Sequence, residues 1–207
     1  MKMRLYYAHD PMCSWCWAFR PTLATLSAAL PANIDLHKLL GGLAPDSDQP
    51  MPAAMREQIR ATWQHIQSSV PGTEFNFDFW QQCQPRRSTW MACRAVLVAA
   101  DAGLADPMTH AIQQAYYLHA RNPSDAAVLI DLAKQLGLPT QAFADALNSP
   151  TTHARLAAEM QRCRTLDLNA YPSLLLDTGT RRWPVAVDYQ DASAILDDIT
   201  SLADSDT

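Results

Sequence analysis

The sequence predicts an α/β fold in which a βαβ unit and a ββα unit are separated by a large all-helical insertion. Three observations predict it: a helical stretch between two strand-like stretches near the N-terminus, a middle region of helical segments punctuated by proline or glycine, and strand-like composition after Asn169-Ala170. A chain of 207 residues can bury a core without disulfides. We expect residues 1–44 and 166–207 to form one discontinuous domain and residues 45–165 to form the insertion.

The βαβ unit is built around two cysteines separated by two residues. Residues 3–8 are predicted to form a strand that ends before Pro11, since proline interrupts a strand ladder. Residues 13–30 carry helix formers and apolar residues, and Pro21 is expected to kink this helix because the pattern resumes beyond it. A second strand is predicted at Ile34–Leu40, before two glycines. The Cys-x-x-Cys motif therefore lies at the start of the first helix.

Helical segments fill the middle of the chain. They are predicted at residues 52–66, 88–102, 107–120, 124–136, 140–148 and 151–165. Ser88 and Ser124 are expected to be N-caps, because a serine hydroxyl can accept from a free backbone N–H of the first turn. Gly103 and Gly137 lie where a glycine commonly follows the end of a helix.

The C-terminal part is predicted to be a ββα unit. Residues 171–177 and 180–187 have strand composition and are joined by a turn at Thr178-Gly179. Residues 191–202 are predicted to form the closing helix. The order of elements is therefore βαβ, helical insertion, ββα.

Composition and charge argue against several classes of protein. The net charge is −5 and the basic residues are scattered singly or in pairs, so no nucleic-acid partner is expected. No stretch approaches the roughly 20 apolar residues that cross a bilayer, and the N-terminus lacks the apolar core of a secretory signal. As written, the chain is expected to be cytoplasmic, with no membrane partner and with its five cysteines mostly free thiols.

Cys13 and Cys16 are the candidate catalytic residues. Their spacing places them one turn apart on one face of a helix, within reach of a disulfide. The helix N-terminus favours an anion, so the thiolate of Cys13 is expected to be stabilised and to attack a substrate. Cys16 lies one turn deeper and is expected to be the resolving thiol.

The residues around the two cysteines suggest how a substrate is held. Ser14 can offer a hydroxyl or a backbone donor to the thiolate, and Trp15 is a candidate apolar contact for an extended substrate. Trp15 is equally compatible with a packing role. Trp17 and Phe19 are expected to be core residues of the βαβ unit.

The two cysteines could also be metal ligands or inert thiols. Structural zinc normally takes four ligands, and this chain has no second closely spaced cysteine pair and no tightly spaced histidine pair. Two inert, buried thiols are the other alternative. The strand before the motif and the helix after it favour the redox interpretation, with no metal site.

Three stretches resemble a known family: "DPMCSWCWAF", "STWMACRAVLVA" and "YPSLLL". Together they resemble DsbA-like proteins of the thioredoxin superfamily, in the branch of cytoplasmic, FrnE-like predicted protein-disulfide isomerases. The resemblance covers nearly the whole chain and implies a thioredoxin-like fold with a helical insertion. It also implies that Cys13 is the nucleophile, that Cys16 resolves, and that Pro172, preceded by Tyr171, is a cis-proline beside the active site.

The sequence departs from two related groups. The best-known DsbA oxidants are exported and carry Pro-His between the cysteines, whereas this chain has Ser14-Trp15. The kappa glutathione transferases and the hydroxychromene-carboxylate isomerases usually carry a serine and lack the second cysteine. The complete pair argues against these relatives but leaves glutathione open as a partner.

Weaker candidates for site residues lie near the cysteine motif. His9 and Asp10 precede the motif and could tune Cys13 or relay its proton, but a polar pair at a strand end is more often a solvated turn, which is the interpretation that we favour. His37 or Lys38 could lie beneath the site, and alternation does not decide which of them does.

The other three cysteines are not expected to take part in the reaction. Cys163 lies on an apolar helical stripe, which favours a buried packing role over a regulatory thiol. A second disulfide between Cys83 and Cys93 is possible in principle and unexpected in a reducing compartment.

The predicted function is that of a thiol–disulfide oxidoreductase of the isomerase or reductase type, acting on protein or small-molecule disulfides and thiols through a mixed disulfide. Such chemistry requires no organic cofactor. One alternative is a glutathione-dependent transferase or isomerase, in which the helical insertion roofs a small-molecule site. The second is a non-enzymatic redox or metal sensor.

Overall fold

The computed structural model describes residues 2–205. In chain order its elements are β1 (Met3–His9), α1 (Ser14–Ala29), β2 (Ile34–Leu40), α2 (Ala53–Ser69), α3 (Phe79–Gln82), α4 (Trp90–Ala100), α5 (Ala105–Tyr117), α6 (Ala126–Gln135), α7 (Thr140–Leu147), α8 (Pro150–Thr165), β3 (Ser173–Asp177), β4 (Arg182–Val185) and α9 (Ala192–Asp204). The predicted order, βαβ followed by helices and then ββα, is confirmed. The short helix α3 was not predicted, because four residues are too few to show a helical period.

The four strands form one sheet in the order β2-β1-β3-β4. β1 and β2 are parallel, whereas β3 runs antiparallel to both β1 and β4. In this register, His9 lies opposite Leu40 and Ala8 lies opposite Ser173. The carboxyl ends of β1 and β2 and the amino end of β3 therefore meet at one edge, and α1 begins beside that edge.

Alternation along β1 assigns its two faces to different layers. Leu5 and Tyr7 pack with α1 and α9, while Tyr6 and Ala8 pack on the opposite face with Cys163 and its neighbours. Successive side chains of a strand point to opposite faces, so a strand that is apolar at successive positions is covered on both sides. The sheet is thus the middle layer of the molecule.

The helices between β2 and β3 share a hydrophobic core with the start of α1. Met12, Trp17 and Ala18 belong to the same buried cluster as Trp63 of α2 and Tyr117 of α5. The cysteine motif therefore lies at the junction between the sheet and the helical insertion. The division into residues 1–44 with 166–207 and residues 45–165 stays a prediction.

The two predicted serine caps are wrong. The N-cap of α4 is Thr89 and the N-cap of α6 is Asp125, each one residue later than predicted. Ser88 and Ser124 are buried instead, and the Ser124 hydroxyl donates to the carbonyl oxygen of Ser88 at 2.7 Å. A buried hydroxyl needs a partner, and here tertiary contact supplies one outside the helix ends.

Two other local predictions are confirmed. Gly103 and Gly137 follow the ends of α4 and α6 with φ of +74° and +78°, a conformation that suits glycine. Pro21 lies inside α1 without ending it, as predicted, and the kink expected there stays a prediction. The N-cap of α1 is Cys13, with extended backbone angles of φ −82° and ψ 119°.

Candidate active site

The two cysteines lie at the start of α1. The Cys13 N–H donates to the carbonyl oxygen of Asp10 at 3.0 Å, and the Cys13 carbonyl accepts from the N–H of Trp17 at 3.0 Å. Cys13 therefore holds the N-cap position, where the positive end of the helix dipole favours an anion. Cys16 is one turn deeper, and both thiols are free.

Burial distinguishes Cys16 and the remaining thiols from ordinary cysteines. Burial raises the pKa of Cys16 well above its usual value, and the neighbouring Cys13 raises it further. Burial also raises the pKa of Cys83 and Cys93, and it raises the pKa of Cys163 to about 11. Since the thiolate is the nucleophile, these four thiols are poor groups for the first attack on an external disulfide at neutral pH.

The backbone before β3 lies against Cys13. The Tyr171–Pro172 peptide bond is cis, as the family resemblance implies. The Cys13 thiol donates to the carbonyl oxygen of Tyr171, with a sulfur-to-oxygen distance of 3.3 Å. The Tyr171 hydroxyl donates in turn to the carbonyl oxygen of Gly41 at 2.9 Å. The fold thus brings Tyr171 and Pro172 to the first cysteine.

Gly41 is needed for the placement of Tyr171. A Cβ atom at Gly41 would overlap two carbons of the Tyr171 ring. We expect Gly41→Ala to lower the free energy of unfolding by about 1–3 kcal/mol, because the ring must move and break its hydrogen bond. Chemical denaturation measures this loss. In a Tyr171→Ala background the same substitution should cost much less, and an equal cost in both backgrounds would contradict the contact.

The buried carboxylate of Asp10 holds the loop before α1 in place by hydrogen bonds. Its carboxylate accepts from the N–H of Met12 and of Leu43, both at 2.8 Å, from the Thr89 hydroxyl at 2.6 Å and from the Cys93 thiol at 3.4 Å. Burial raises the pKa of Asp10, and these hydrogen bonds oppose the rise. Asp10 therefore ties the loop before α1 to the connection after β2 and to the start of α4.

The interpretation of His9-Asp10 as a solvated turn is wrong. Asp10 is fully buried and His9 is 4% exposed. The His9 ring stacks on Tyr7, with centroids 4.9 Å apart. Burial, and after it the charge of Lys38, lower the pKa of His9 to about 4. His9 lines a cavity with Cys16, so it lies behind the motif and not beside Cys13.

The low pKa of His9 predicts a dependence of stability on pH. Between pH 6.5 and about pH 4 the unfolded chain binds a proton at His9 that the folded chain does not bind, so stability falls as the pH falls. The loss from this residue is about 3 kcal/mol at full extent. Denaturation of wild type and His9→Phe at pH 7 and pH 4.5 should show the smaller loss in the variant. Equal losses would contradict a neutral, buried His9.

A groove opens in front of Cys13, and we call it the Cys13 groove. It encloses about 330 Å³ and is lined by Cys13, Ser14, Trp15 and Tyr171 together with side chains of α2 and Arg87. Most of its wall is apolar, with Met55 and Ile59 among the side chains of α2. The sulfur of Cys13 therefore borders a largely apolar groove.

Ser14 is held by the helical insertion, and Trp15 lies between the insertion and the segment before α9. The Ser14 hydroxyl accepts from the indole N–H of Trp63 at 3.0 Å. The ring of the half-buried Trp15 lies 4.9 Å from that of Tyr189 and 5.8 Å from that of His65. Trp15 therefore packs on one side and lines the groove on the other.

The core prediction for Trp17 and Phe19 is confirmed, since they are 7% and 0% exposed. Cys163 is buried as predicted, beside Leu39 and Leu175. Cys83 and Cys93 are free thiols, and Cys83 donates to the carbonyl oxygen of Ala120 at 3.0 Å.

Lys38, and not His37, faces the motif. Lys38 lines the cavity behind Cys16 and pairs with Asp106 at 2.7 Å. The His37 ring packs on Tyr6 on the other face of the sheet.

Among residues 2–205, no group of three or more histidine, cysteine or acidic side chains is arranged to hold a metal ion. None of the helices in that range is both long enough and apolar enough to cross a membrane.

A thioredoxin-type sheet with two neighbouring thiols at the start of its first helix and a cis-proline before its third strand is the architecture of the DsbA-like class. The chain belongs to the family of the DsbA-like thioredoxin domain, whose model matches residues 7–197.

Two solved structures are similar over nearly the whole chain. A candidate protein disulfide isomerase from Nitrosomonas europaea is 26% identical, with a TM-score of 0.84 and complete coverage of both chains. The cytosolic disulfide reductase DsbM from Pseudomonas aeruginosa is 24% identical, with a TM-score of 0.74 and 98% coverage of both chains. DsbM has also been solved with GSH, and that structure matches with a TM-score of 0.71 at 25% identity.

A curated relative shows a more distant similarity. The ClpXP adapter protein SpxH of Bacillus subtilis is 24% identical over 175 residues, which are 83% of this chain and 57% of the relative. The chain thus spans little more than half the length of that relative.

Sequence reasoning missed several residues of the site. The partners of Asp10 on α4, Thr89 and Cys93, lie in the stretch "STWMACRAVLVA", whose resemblance to the family was the available signal. Gly41 gave a signal only as one of two glycines after β2. Arg87 gave none, because the pair Arg86-Arg87 in a connection looks like solvated charge.

Proposed function

We propose that this protein reduces or isomerises disulfides by means of the Cys13–Cys16 couple. The supporting observation is the position of Cys13. It occupies the N-cap of α1, lines the open groove and lies 3.3 Å from the carbonyl oxygen of Tyr171, while Cys16 is one turn deeper. Cys13 is 6% exposed and borders the groove, whereas Cys16 is 1% exposed and lies behind it. A first thiol at the groove and a second thiol behind it are the arrangement that two-step disulfide exchange requires.

The exchange proceeds through a mixed disulfide. The Cys13 thiolate attacks one sulfur of the substrate disulfide, a Cys13–substrate bond forms, and the other substrate sulfur leaves as a thiolate that takes up a proton. The Cys16 thiolate then attacks the sulfur of Cys13. The second substrate thiol leaves, and the protein keeps a Cys13–Cys16 disulfide. Two electrons from two molecules of a cellular thiol restore the dithiol.

The backbone at Tyr171 is proposed to hold the substrate. Proline at position 172 has no N–H to offer, so an extended substrate pairs with the backbone of the preceding residue, whose carbonyl is released when the Cys13 thiol ionises. The apolar wall of the Cys13 groove contacts the side chains that flank the substrate disulfide. Trp15 supplies part of that wall, and Ser14 is placed beside the attacking sulfur.

Glutathione is the proposed electron donor, and the cytoplasm is the proposed compartment. A thiol pool that keeps the couple reduced exists in the cytoplasm and favours reduction or isomerisation over oxidation. The similar structure of DsbM, a protein described as cytosolic, was also solved with GSH.

A coupled assay tests this function. The protein is incubated with a small disulfide or with insulin, and reduced glutathione supplies the electrons. We expect many turnovers per molecule of protein. An absence of turnover with every disulfide would contradict the proposal. Activity that survives loss of Cys16 would instead favour a glutathione-dependent transferase.

A further inference from the structure

The Cys13 groove has one fixed charge among the described residues that line it. Apart from Cys13, whose thiol can ionise, only Arg87 is charged at neutral pH. The face of α2 that lines the groove presents four uncharged side chains, Met55, Gln58, Ile59 and Thr62. The groove therefore combines a neutral wall with a single positive charge.

The carboxylates nearest in the chain and in the fold are engaged elsewhere. Glu57, the one acidic residue of α2, lines a separate pocket on another face of that helix, where it lies 3.8 Å from Arg60. Asp10 is fully buried, and its carboxylate accepts hydrogen bonds from the loop around it. Neither carboxylate neutralises Arg87.

The two arginines at positions 86 and 87 are used differently. The guanidinium of Arg86 pairs with Asp125, and its backbone forms a bridge with Pro50. Arg87 is half-buried and forms no ion pair and no side-chain hydrogen bond within residues 2–205. None of its nitrogen atoms is enclosed by the protein, so the guanidinium is open to solvent and to a ligand.

The charge of Arg87 is felt inside the groove. Tyr116 lines the groove together with Cys13 and Arg87. Burial raises the pKa of the Tyr116 hydroxyl, and the charge of Arg87 opposes that rise. Such an effect requires the guanidinium to lie near the phenol, so the positive charge acts on the space in front of Cys13.

We propose that Arg87 makes the protein select disulfides in which the residue next to the half-cystine carries a carboxylate. The substrate sulfur meets Cys13 while the carboxylate pairs with the guanidinium, and the neutral face of α2 contacts the apolar part of the substrate. The Cys13 thiolate and the net charge of −5 both repel an anionic substrate, and Arg87 offsets this repulsion. The inference rests on the proposed function, since it names the substrate class of the Cys13–Cys16 reaction.

The test compares three peptide disulfides that differ only in charge. In each peptide an acetylated cysteine is followed by an amidated glutamate, glutamine or lysine, and the symmetrical disulfide is mixed with the reduced protein. One disulfide oxidises Cys13 and Cys16 and releases two peptide thiols, which chromatography measures. Each rate is divided by the rate of the same peptide disulfide with 2-mercaptoethanol, a neutral thiol, which removes intrinsic differences in reactivity.

We expect the glutamate peptide to react about three- to fivefold faster than the glutamine peptide, and the lysine peptide to be the slowest. The preference should shrink as sodium chloride is raised from about 0.02 M to about 0.5 M, because salt screens charges in contact with water. Equal rates for the glutamate and glutamine peptides would overturn the proposal. If none of the three peptides is reduced, the proposed function fails, and this inference fails with it.

Variants assign the preference to Arg87. In Arg87→Gln the ratio of the glutamate to the glutamine rate should fall to about one or below, because the repulsion by Cys13 is no longer offset. Arg87→Lys keeps the charge and should keep a preference for glutamate. Arg60→Gln removes a positive charge from the other pocket on α2 and should keep the wild-type ratio.

The ratio of two rates in one sample does not depend on the fraction of folded protein, so a loss of stability in a variant leaves the test intact. A preference for glutamate that survives in Arg87→Gln, or that is lost to the same extent in Arg60→Gln, would refute the role of Arg87.

Discussion

Replacement of Cys13 by serine is expected to reduce the turnover of disulfide substrates to the uncatalysed rate, a loss of about three orders of magnitude or more. The hydroxyl of serine ionises far above neutral pH and cannot form a mixed disulfide. The other four thiols cannot replace Cys13, because burial raises the pKa of each of them. The assay is the glutathione-coupled reduction of a small disulfide.

Cys83→Ser is the matched control for this experiment. Cys83 is half-buried and its thiol donates to the carbonyl oxygen of Ala120, a bond that a serine hydroxyl can also make. We expect the control to turn over like wild type. Substantial activity in Cys13→Ser, or an equal loss in Cys83→Ser, would mean that another thiol carries the reaction.

Replacement of Cys16 by alanine is expected to trap the mixed disulfide on Cys13. Once the substrate sulfur is bound to Cys13, release depends on attack by Cys16 from within the protein. Without Cys16 the adduct is cleaved only by an external thiol, so it accumulates. Mass spectrometry after incubation with oxidised glutathione should show most of the variant carrying one glutathione, while wild type shows mainly the internal disulfide.

The reciprocal and control variants make the assignment of roles testable. Cys13→Ala should accumulate far less adduct, because the remaining Cys16 thiol is 1% exposed and has a raised pKa. Cys163→Ala, which removes a buried thiol from the other face of the sheet, should behave like wild type. Equal trapping by Cys13→Ala and Cys16→Ala would show that the nucleophile has been misassigned.

The parts of the fold that depend on local signals could be predicted from sequence. Strand composition before Pro11 and helical composition from Cys13 onward placed the motif at the start of a helix, where the structure has it. The cis bond at Pro172 could not be derived from periodicity. It followed only from the family resemblance, because most prolines that open a strand are trans.

The parts that depend on contacts between distant segments could not be predicted. Asp10 looks like a turn residue by composition, and it is buried because Leu43 and Thr89 approach it from other segments. Ser124 looks like a cap and pairs instead with the backbone of Ser88. The cavity behind Cys16 lies where α1 and α5, from separate parts of the chain, face each other, so no local pattern predicted it.

A redox titration tests most directly whether Cys13 and Cys16 form a redox couple. The protein is equilibrated with mixtures of reduced and oxidised glutathione, free thiols are alkylated, and the peptides are analysed by mass spectrometry. We expect one reversible two-electron transition in which Cys13 and Cys16 become joined by a disulfide. Cys83, Cys93 and Cys163 should remain free thiols. If Cys13 and Cys16 stay unlinked at every ratio, or if Cys13 forms only a stable glutathione adduct while Cys16 remains a thiol, the two cysteines are not a redox couple.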